Sequence, residues 1–406
     1  MGDHRGARAR PLLCVKSPLA FRSPAKSAGL RVAWLLAVGT LGICPAVAAE
    51  SQQPQSADAG SRVVAYVQGG SIPAVIHPEK LTHINFSFAH IAAGLALLDQ
   101  TGVGDDLAKL RALKKQNPRL KVIVSVGGWL ADGFSNAALT DSSRRAFARS
   151  AVALLREYTL DGIDLDWEYP GQGVAGIKYR VEDKGNFTLL LKTLREAFDA
   201  ESAARGRAGS DRYILTIAAA DREYFDHVEM SKLHVYVDWI NEMAYDFFNS
   251  LTSTTGHQAG LYPSQFSSAA DRNGDAAVKQ YLAAGVPSAK IVLGVPFYGR
   301  GFAGVTSLNN GIKQPYERYE GDHSYDELVG KFIGKQGFVR YWDGHAQAPY
   351  LWNSASRTFI SYDDPQSIGT KACYVRERHL GGMMFWDLGS DHNDELLNTI
   401  ARGCSH

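Results

Sequence analysis

The chain has 406 residues, with 43 Lys plus Arg against 42 Asp plus Glu, and 45% of its residues are apolar. This ordinary globular composition excludes a mainly disordered or fibrous protein. The near-zero net charge argues against nucleic acid as the main partner, because phosphate binding requires a basic surface. The only long apolar run of the sequence lies near the N-terminus, which excludes a protein with several membrane spans.

The first 49 residues have the order of a secretory signal peptide. Seven Lys or Arg residues come first, the apolar run 32–44 follows, and Ala46, Ala48 and Ala49 then provide a cleavage site. We therefore predict that residues 1–49 are removed and that the mature chain is secreted to the periplasm or the medium. A single membrane anchor is the alternative, although the run is short for one.

Export also bears on the cysteines. Cys14 and Cys44 would leave with the signal peptide, so that Cys373 and Cys404 remain. An even pair of cysteines in an oxidising compartment predicts one disulfide, which would fasten the C-terminal tail. The sequence has neither a CxxC motif nor the His/Cys spacing of a metal site, so we expect neither a metal nor another cofactor.

Eight apolar runs recur along the rest of the chain, separated by segments with helical spacing such as 143–158 and 186–204. Such runs are typical of strands that are buried on both faces of a parallel sheet. Eight of them fit a closed (β/α)8 barrel, or TIM barrel, better than an open doubly wound sheet, for which a Gly-rich phosphate-binding turn is missing. The runs are Val63–Val67, His83–Ala89, Lys121–Val126, Gly162–Trp167, Tyr213–Ala218, Val237–Tyr245, Lys290–Val295 and Gly381–Trp386.

One long gap interrupts this rhythm. About eighty residues separate the seventh and eighth runs, and the segment 301–361 is rich in Tyr, Trp and turn residues. Structureless loops of this length are uncommon in compact domains. We therefore predict a small α+β subdomain at 301–361, inserted into an α/β barrel that comprises residues 50–300 and 362–406. Because it follows a barrel strand, it would stand at the C-terminal rim, where barrel active sites form.

Four acidic residues lie close together in and beside the fourth run, in the order Asp161-Gly-Ile-Asp164-Leu-Asp166-Trp-Glu168. Residues two apart on a strand share a face, so Asp164, Asp166 and Glu168 form a column with about 6.5 Å between neighbours. Helices cover the outside of a barrel strand, so we expect the column to point inward, with Glu168 at the rim. Stacked acids repel each other, which raises at least one pKa and keeps one carboxylic acid protonated near neutral pH.

Two other interpretations of the acidic motif are open. The acids could form an outward polar face without a function, with the intervening apolar residues inside the barrel. They could also bind a divalent cation, because carboxylates are ligands for such ions, although no His is placed to help.

The motif Asp161-x-x-Asp164-x-Asp166-x-Glu168 resembles the signature of the family 18 glycoside hydrolases, the chitinases and their relatives. Four further motifs stand in the order of that family, so the resemblance covers nearly the whole mature chain. They are Ser125-Val-Gly-Gly128 on the third strand, Met243-Ala-Tyr-Asp246 on the sixth, Pro296-Phe-Tyr-Gly-Arg300 at the end of the seventh and Trp386 on the eighth.

The resemblance implies a secreted chitinase that hydrolyses β-1,4 bonds of N-acetylglucosamine polymers with retention of configuration, without a cofactor. Glu168 would be the general acid and then the base for water. The N-acetyl carbonyl of the substrate would attack the anomeric carbon and form an oxazolinium ion. Asp166 would orient the acetamide, Asp164 would share a proton with Asp166, and Tyr245 would hydrogen-bond the acetamide oxygen.

The resemblance also implies a sugar cleft. Trp386 would lie under the sugar at the cleavage point, Trp129 would stand at the rim, and Trp342 would form a wall from the insertion. For any single Trp the alternative is core packing, which we expect for Trp167 and Trp239. Arg300 could equally be a structural ion-pair partner. The predicted substrate-binding residues are Trp386, Trp129, Asp246, Met243, Tyr298, Arg300, Trp342, Tyr66 and Phe88.

Three other functions are open at this point. An endo-β-N-acetylglucosaminidase acting on N-glycans shares the acidic motif, but such enzymes generally lack the insertion and the tryptophan of the eighth strand. A non-hydrolytic chitin-binding lectin usually lacks the acid that Glu168 provides here. The third is a metal-dependent barrel enzyme. We expect a monomer whose partner is chitin or chito-oligosaccharides.

Overall fold

The computed structural model describes residues 61–404, and the predicted signal peptide lies outside the described residues. The strands are β1 (Arg62–Gln68), β2 (His83–Ala92), β3 (Leu95–Leu97), β4 (Lys121–Gly127), β5 (Gly162–Asp166), β6 (Ile214–Ala219), β7 (Trp239–Glu242), β8 (Ile291–Pro296), β9 (Tyr298–Ala303), β10 (Arg318–Ser324), β11 (Val339–Asp343), β12 (Ala348–Asn353), β13 (Thr358–Ser361) and β14 (Gly382–Trp386). The α-helices are α1 (Val103–Ala112), α2 (Phe134–Ala137), α3 (Asp141–Glu157), α4 (Asp183–Ala204), α5 (Met230–Leu233), α6 (Gly274–Ala283), α7 (Tyr325–Glu327), α8 (Pro365–Glu377) and α9 (Glu395–Arg402).

Eight parallel strands close into a barrel. In the order β1, β2, β4, β5, β6, β7, β8 and β14 each strand pairs with the next, and β14 pairs with β1. Each predicted apolar run corresponds to one of these strands, which confirms the prediction of a (β/α)8 barrel. The runs are apolar because barrel strands are covered on both sides, inside by their neighbours and outside by helices.

The outer layer of the barrel shows this arrangement at β5. Ile163 and Leu165 are buried and share one hydrophobic cluster with Phe187 and Leu191 of α4. These apolar positions alternate with Asp164 and its neighbours, which therefore face the barrel interior. The apolar face of β5 therefore points outward and its acidic face points into the barrel.

Two elements begin or end at other residues than the sequence predicts. The spacing predicts a helix over 143–158, whereas α3 begins at Asp141, because Thr140 caps it in a reciprocal capping box with Ser143. The sixth run predicts a strand to Tyr245, whereas β7 ends at Glu242 and the following residues turn into the cleft described below. None of the described helices is long and apolar enough to cross a membrane.

The segment between β8 and α8 forms a second, antiparallel sheet with the strand order β10, β9, β13, β12, β11. Phe302, Tyr350, Trp352 and Phe359 are buried in a core of its own. The sheet begins at Tyr298, before the predicted boundary at residue 301, because only Phe297 separates β9 from β8. The insertion is therefore a direct continuation of a barrel strand, which places it at the C-terminal rim.

Candidate active site

A cleft of about 810 Å³ opens at the C-terminal ends of the barrel strands. Its lining combines carboxylates with aromatic side chains, and it lies within the size range of small-molecule sites. The residues predicted from the sequence that line it are Tyr66, Phe88, Trp129, Asp166, Glu168, Met243, Tyr245, Asp246, Tyr298, Arg300 and Trp386. Residues distant in sequence meet here because parallel strands all end at the same rim.

Asp164 lies beneath this cleft, inside the barrel, and is fully buried. Its Oδ2 accepts hydrogen bonds from the hydroxyls of Tyr66 (2.8 Å) and Ser125 (2.7 Å), and its Oδ1 accepts from Thr216 (2.6 Å) and the Asn241 amide (3.3 Å). Burial raises the pKa of Asp164, and these four hydrogen bonds oppose that rise because they stabilise the carboxylate.

Asp166 and Glu168 continue the column toward solvent. Asp166 is buried, and its Oδ1 has no hydrogen-bond partner among the described residues. Burial, together with the charges of Glu168 and Asp164, raises the pKa of Asp166 well above its usual range. Glu168 is half-buried, and removal from bulk water raises its pKa to about 7, opposed by a hydrogen bond with Tyr169 and assisted by the charge of Asp246. The three acids therefore titrate as a coupled set.

Two glycines of the third-strand motif allow β4 to end against this column. Gly127 has a φ of +116°, and a Cβ there would lie 2.1 Å from the carbonyl oxygen of Asp166. Gly128 donates its N–H to the same oxygen at 2.9 Å, and a Cβ on it would meet the ring of Phe88. Only glycine fits both positions, which explains this part of the motif physically.

Two groups of aromatic rings line the cleft. In the first group Trp386 stacks with Phe88 at a centroid distance of 5.5 Å and lies 5.8 Å from the ring of Tyr66. In the second group Trp129, whose surface is 52% exposed, lies 6.5 Å from the ring of Tyr169. Apolar faces of this kind suit the apolar faces of pyranose rings.

Tyr245 stands in the cleft wall formed by the segment after β7. It is buried, and the only hydrogen-bond partner of its hydroxyl in the described chain is the sulfur of Met384, at 3.9 Å. A thioether is a weak acceptor, so the hydroxyl keeps its capacity to donate to a ligand. Met243 lines the cleft beside it and packs against the same cluster of residues inside the barrel.

A network of charged and phenolic groups joins the barrel to the insertion. Oδ1 of Asp246 accepts hydrogen bonds from the Tyr298 hydroxyl and from Nε of Arg300, both at 2.6 Å. Nη1 of Arg300 in turn donates to the Tyr319 hydroxyl (2.5 Å) and to Asp322 (2.8 Å). Arg300 is therefore an ion-pair partner that also lines the cleft, so both sequence interpretations of this residue apply.

One predicted cleft residue is placed elsewhere. Trp342 lies on β11, which is the outermost strand of the insertion sheet, and the guanidinium of Arg340 lies 5.4 Å above its ring. It is absent from the cleft lining, and β9 and β10 of the inserted sheet reach the cleft instead, through Tyr298, Arg300, Asp322 and Ser324. The expected wall formed by Trp342 is corrected for this reason. Trp167 and Trp239, expected in the core, are buried.

Several cleft residues escaped the sequence analysis. Most follow a barrel strand directly and could have been found by listing the polar residues at each strand end. Others come from the loop between β7 and α6, which has no distinctive pattern. Among the described residues no group of His, Cys, Asp or Glu is arranged to hold a metal ion. The cleft residues in question include Gln68, Tyr169, Asp221, Glu223, Asn249, Arg272, Asp322 and Asp387.

Comparison with known proteins identifies the family of the chain. A model of the glycosyl hydrolases family 18 matches residues 61–391. The chain belongs to this family. The match includes the acids of β5, both cleft aromatic groups and the insertion, so the family 18 hydrolase motifs noted above occur within the matched region.

Individual relatives of this family 18 hydrolase are similar over most of its length. Chitinase A1 of Niallia circulans is 43% identical over 314 residues, which cover 73% of this chain but 44% of that protein. Chitinase B of Serratia marcescens is 33% identical, over 80% of this chain and 76% of that protein. A family 18 N-acetylglucosaminidase from Paenibacillus barengoltzii, known from a solved structure, superimposes with a TM-score of 0.79 at 42% identity, over 85% of this chain and all of that one.

Proposed function

We propose that this glycoside hydrolase is a chitinase that cleaves β-1,4 bonds of N-acetylglucosamine polymers with retention of configuration. The observation that carries the proposal is the acid column of β5, which ends in the cleft with one carboxyl whose pKa is raised to about 7 by its removal from bulk water. Such a carboxyl holds its proton up to neutral pH and can protonate a leaving group. Chitinases among the relatives agree with this substrate.

In the proposed reaction Glu168 protonates the glycosidic oxygen, and the acetamide oxygen of the same sugar attacks the anomeric carbon as the bond breaks. The product of this step is an oxazolinium ion, whose positive charge lies beside the carboxyl of Asp166. Glu168, now ionised, removes a proton from a water molecule as the water attacks the anomeric carbon and opens the oxazolinium ring. Two inversions at one carbon give net retention, and no carboxylate of the protein forms a bond to the sugar.

Orientation of the acetamide is the other requirement of this reaction. The Tyr245 hydroxyl has only a thioether as partner among residues 61–404, which supports a role as donor to the acetamide oxygen. Oδ1 of Asp166 has no partner in the same range, which supports a role as acceptor for the acetamide N–H. Together they would hold the nucleophile in line with the anomeric carbon, which lowers the entropic cost of the attack.

A second candidate is release of single N-acetylglucosamine units from a chain end. The similarity to the N-acetylglucosaminidase, which this chain covers completely, favours it. The same acids would perform the same chemistry, so the two candidates differ only in how many sugars the cleft holds on each side of Glu168. Activity on N-glycans and binding without hydrolysis are further alternatives for the same site.

The decisive experiment is hydrolysis of chitotetraose by wild type and Glu168→Gln, with products identified by mass spectrometry and the anomer by NMR. Chitobiose formed as the β-anomer by wild type alone is the result expected for a retaining chitinase. Monosaccharide as the main product would favour the second candidate. No cleavage by either protein, with measurable binding, would overturn both and point to a lectin or to another N-acetylglucosamine glycan.

We further propose that the protein is exported, loses residues 1–49 and acts as a monomer. The support for export is the order of basic, apolar and small residues in the sequence. N-terminal sequencing of protein from the culture medium and from the periplasm tests cleavage and compartment together. Light scattering on the same material measures its oligomeric state.

A further inference from the structure

Two buried residues of β7, Trp239 and Asn241, have no part in the proposed reaction. They are two apart on one strand, so both face the barrel interior. Nε1 of Trp239 donates a hydrogen bond to Oδ1 of Asn241 at 2.9 Å. Because an indole N–H can only donate, the amide oxygen of Asn241 must face Trp239, and its amide nitrogen must face the other way.

That amide nitrogen lies 3.3 Å from Oδ1 of Asp164 and 3.3 Å from the hydroxyl oxygen of Tyr66. An amide nitrogen also only donates, so the Tyr66 oxygen acts as an acceptor toward Asn241. The phenolic proton is then left for Oδ2 of Asp164, at 2.8 Å. The direction of two hydrogen bonds to Asp164 thus follows from a single indole on β7.

The two strands beside β5 supply the remaining donors. Ser125 on β4 and Thr216 on β6 are the register partners of Asp164, and their hydroxyls lie 2.7 and 2.6 Å from its oxygens. Asp164 therefore receives four hydrogen bonds, which is the number of lone-pair sites that an ionised carboxylate offers. A protonated Asp164 would give up at least one of them, and Asn241 offers no acceptor on that side.

We infer that Trp239 and Asn241 are positioning residues that fix the direction of the hydrogen bonds to Asp164 and thereby favour its ionised form. The inference rests on the proposed function and deepens it.

The test compares the pH dependence of kcat/KM on chitotetraose for variants that remove single donors. Thr216→Val and Asn241→Leu remove donors to Asp164 with little change of shape, Trp239→Phe removes the indole N–H, and Thr216→Ser keeps a hydroxyl as the matched control. Loss of a donor favours protonation of Asp164. The acidic limb of the pH profile of kcat/KM should therefore move to higher pH by about one unit in Asn241→Leu and in Thr216→Val. Trp239→Phe should move the acidic limb in the same direction, and in Thr216→Ser the acidic limb should lie at the same pH as in wild type.

A purely structural role predicts a different result, because poorer packing lowers kcat/KM at every pH and leaves the limb in place. An unmoved acidic limb in both Asn241→Leu and Thr216→Val would therefore overturn the inference. Thermal unfolding of each variant shows whether it is folded. If Asn241→Leu does not fold, the pH profile of Thr216→Val decides the test.

A second measurement requires no substrate. Neutron diffraction of the perdeuterated protein at about pH 6, which lies above the usual pKa of an aspartate, should show no deuteron on Asp164, the Asn241 amide deuterons facing Asp164 and the Tyr66 hydroxyl deuteron pointing to Oδ2 of Asp164. A deuteron on Asp164 would refute the inference. If wild type does not cleave chitotetraose, the proposed function fails, and the neutron map still decides the proton position.

Discussion

Glu168 differs from the two aspartates of its column in how much solvent reaches it. It is half-buried at the cleft, whereas Asp164 and Asp166 are buried beneath it. Removal from water is the largest cause of the raised pKa of each carboxyl, and the charges of the neighbouring acids raise the pKa of Asp166 further. The group nearest to solvent thus keeps a pKa near neutrality, which suits an acid that must both lose and regain a proton.

Asp246→Asn should shift the alkaline limb of the activity profile to lower pH. The charge of Asp246 helps to raise the pKa of Glu168 to about 7, after burial, so removing that charge lowers this pKa. The guanidinium of Arg300 would lose one of its two carboxylate partners and keep only Asp322, so its positive charge would act in the same direction. Since Asp246 is partly exposed and screened by solvent, we expect a shift of about half a pH unit. The pH dependence of kcat/KM measures it.

Asp132→Asn is the control for this shift, because Asp132 is exposed and lies outside the cleft lining, and within the described part of the chain its carboxylate accepts hydrogen bonds from backbone N–H groups only. Its alkaline limb should coincide with that of wild type. A limb that stays in place in Asp246→Asn would show that Glu168 does not respond to this charge.

Glu168→Gln should stabilise the protein by an amount that depends on pH. The pKa of Glu168 rises from 4.5 to about 7 on folding, because burial disfavours the charged form. Proton binding therefore favours the folded state; this stability is complete below about pH 4.5 and is lost as the pH rises through about 7. Glutamine carries no charge, so the difference in Tm between variant and wild type should grow between pH 4.5 and 7 and stay constant above.

Calorimetry at several pH values in this range measures that difference. Glu320→Gln is a suitable control, because Glu320 pairs with Arg318 on the exposed strand β10, away from the acid column. A Tm difference that is independent of pH in Glu168→Gln would mean that the carboxyl titrates normally in the folded state.

Among the elements, β4 and β9 constrain the cleft most directly. β4 ends against β5 through Gly127, and β9 continues β8 through Phe297, whose ring stacks on Phe385 at 4.2 Å. β9 then carries Arg300 to within 2.6 Å of Asp246. The inserted sheet thereby becomes one wall of the cleft without a flexible linker.

Gly127→Ala should destabilise the end of β4 and reduce activity together. The new Cβ would lie 2.1 Å from the carbonyl oxygen of Asp166, at a φ of +116° that alanine avoids. Because the atom that the Cβ would meet belongs to the backbone of β5, β4 and β5 must separate. We expect the free energy of unfolding to fall by about 2 kcal/mol or more. Denaturant unfolding and kcat/KM provide the two readouts.

Gly344→Ala is the matched substitution, since a Cβ at Gly344 meets no atom within 4 Å and its φ is not in the left-handed region. It should unfold like wild type to within about 0.5 kcal/mol. Equal stability of the two variants would mean that Gly127 and the carbonyl oxygen of Asp166 are not in close contact in solution.

At the scale of the whole molecule, the barrel must hold its last helices in place. Cys373 on α8 and Cys404 after α9 lie with their Cα atoms 4.4 Å apart, a separation that a disulfide spans. Leu396, Leu397 and Ile400 bury one face of α9 against the main hydrophobic cluster. A bridge between these cysteines would fasten the C-terminal tail together with this apolar face.

Reduction of this pair should lower the free energy of unfolding by about 3 kcal/mol, because the bridge closes a loop of 31 residues and restricts the unfolded chain. Denaturant unfolding with and without reductant measures the difference, and Cys373→Ser with Cys404→Ser should reproduce it. Two free thiols in the protein isolated under oxidising conditions would contradict the bridge.

Much of the fold is readable from the chain because barrel strands are apolar throughout and are separated by helical segments of regular length. The acid column is readable for a similar reason, since a period of two on a covered strand leaves one possible face for Asp164 and Asp166. The order of motifs around these acids then indicates the family, and the match over residues 61–391 shows it.

The barrel and the position of the acids on their strand can therefore be predicted from the chain alone, because both depend on local periodicity, whereas the class of chemistry followed from the resemblance of the motifs to the family 18 glycoside hydrolases. The identity of the side chains around the acids follows from the tertiary structure. That structure excludes Trp342 from the cleft, adds Asp322 to it and directs Trp239, Asn241 and Thr216 toward Asp164. These contacts join strands that are far apart in sequence, and their geometry follows from barrel closure and side-chain packing, which no local pattern encodes.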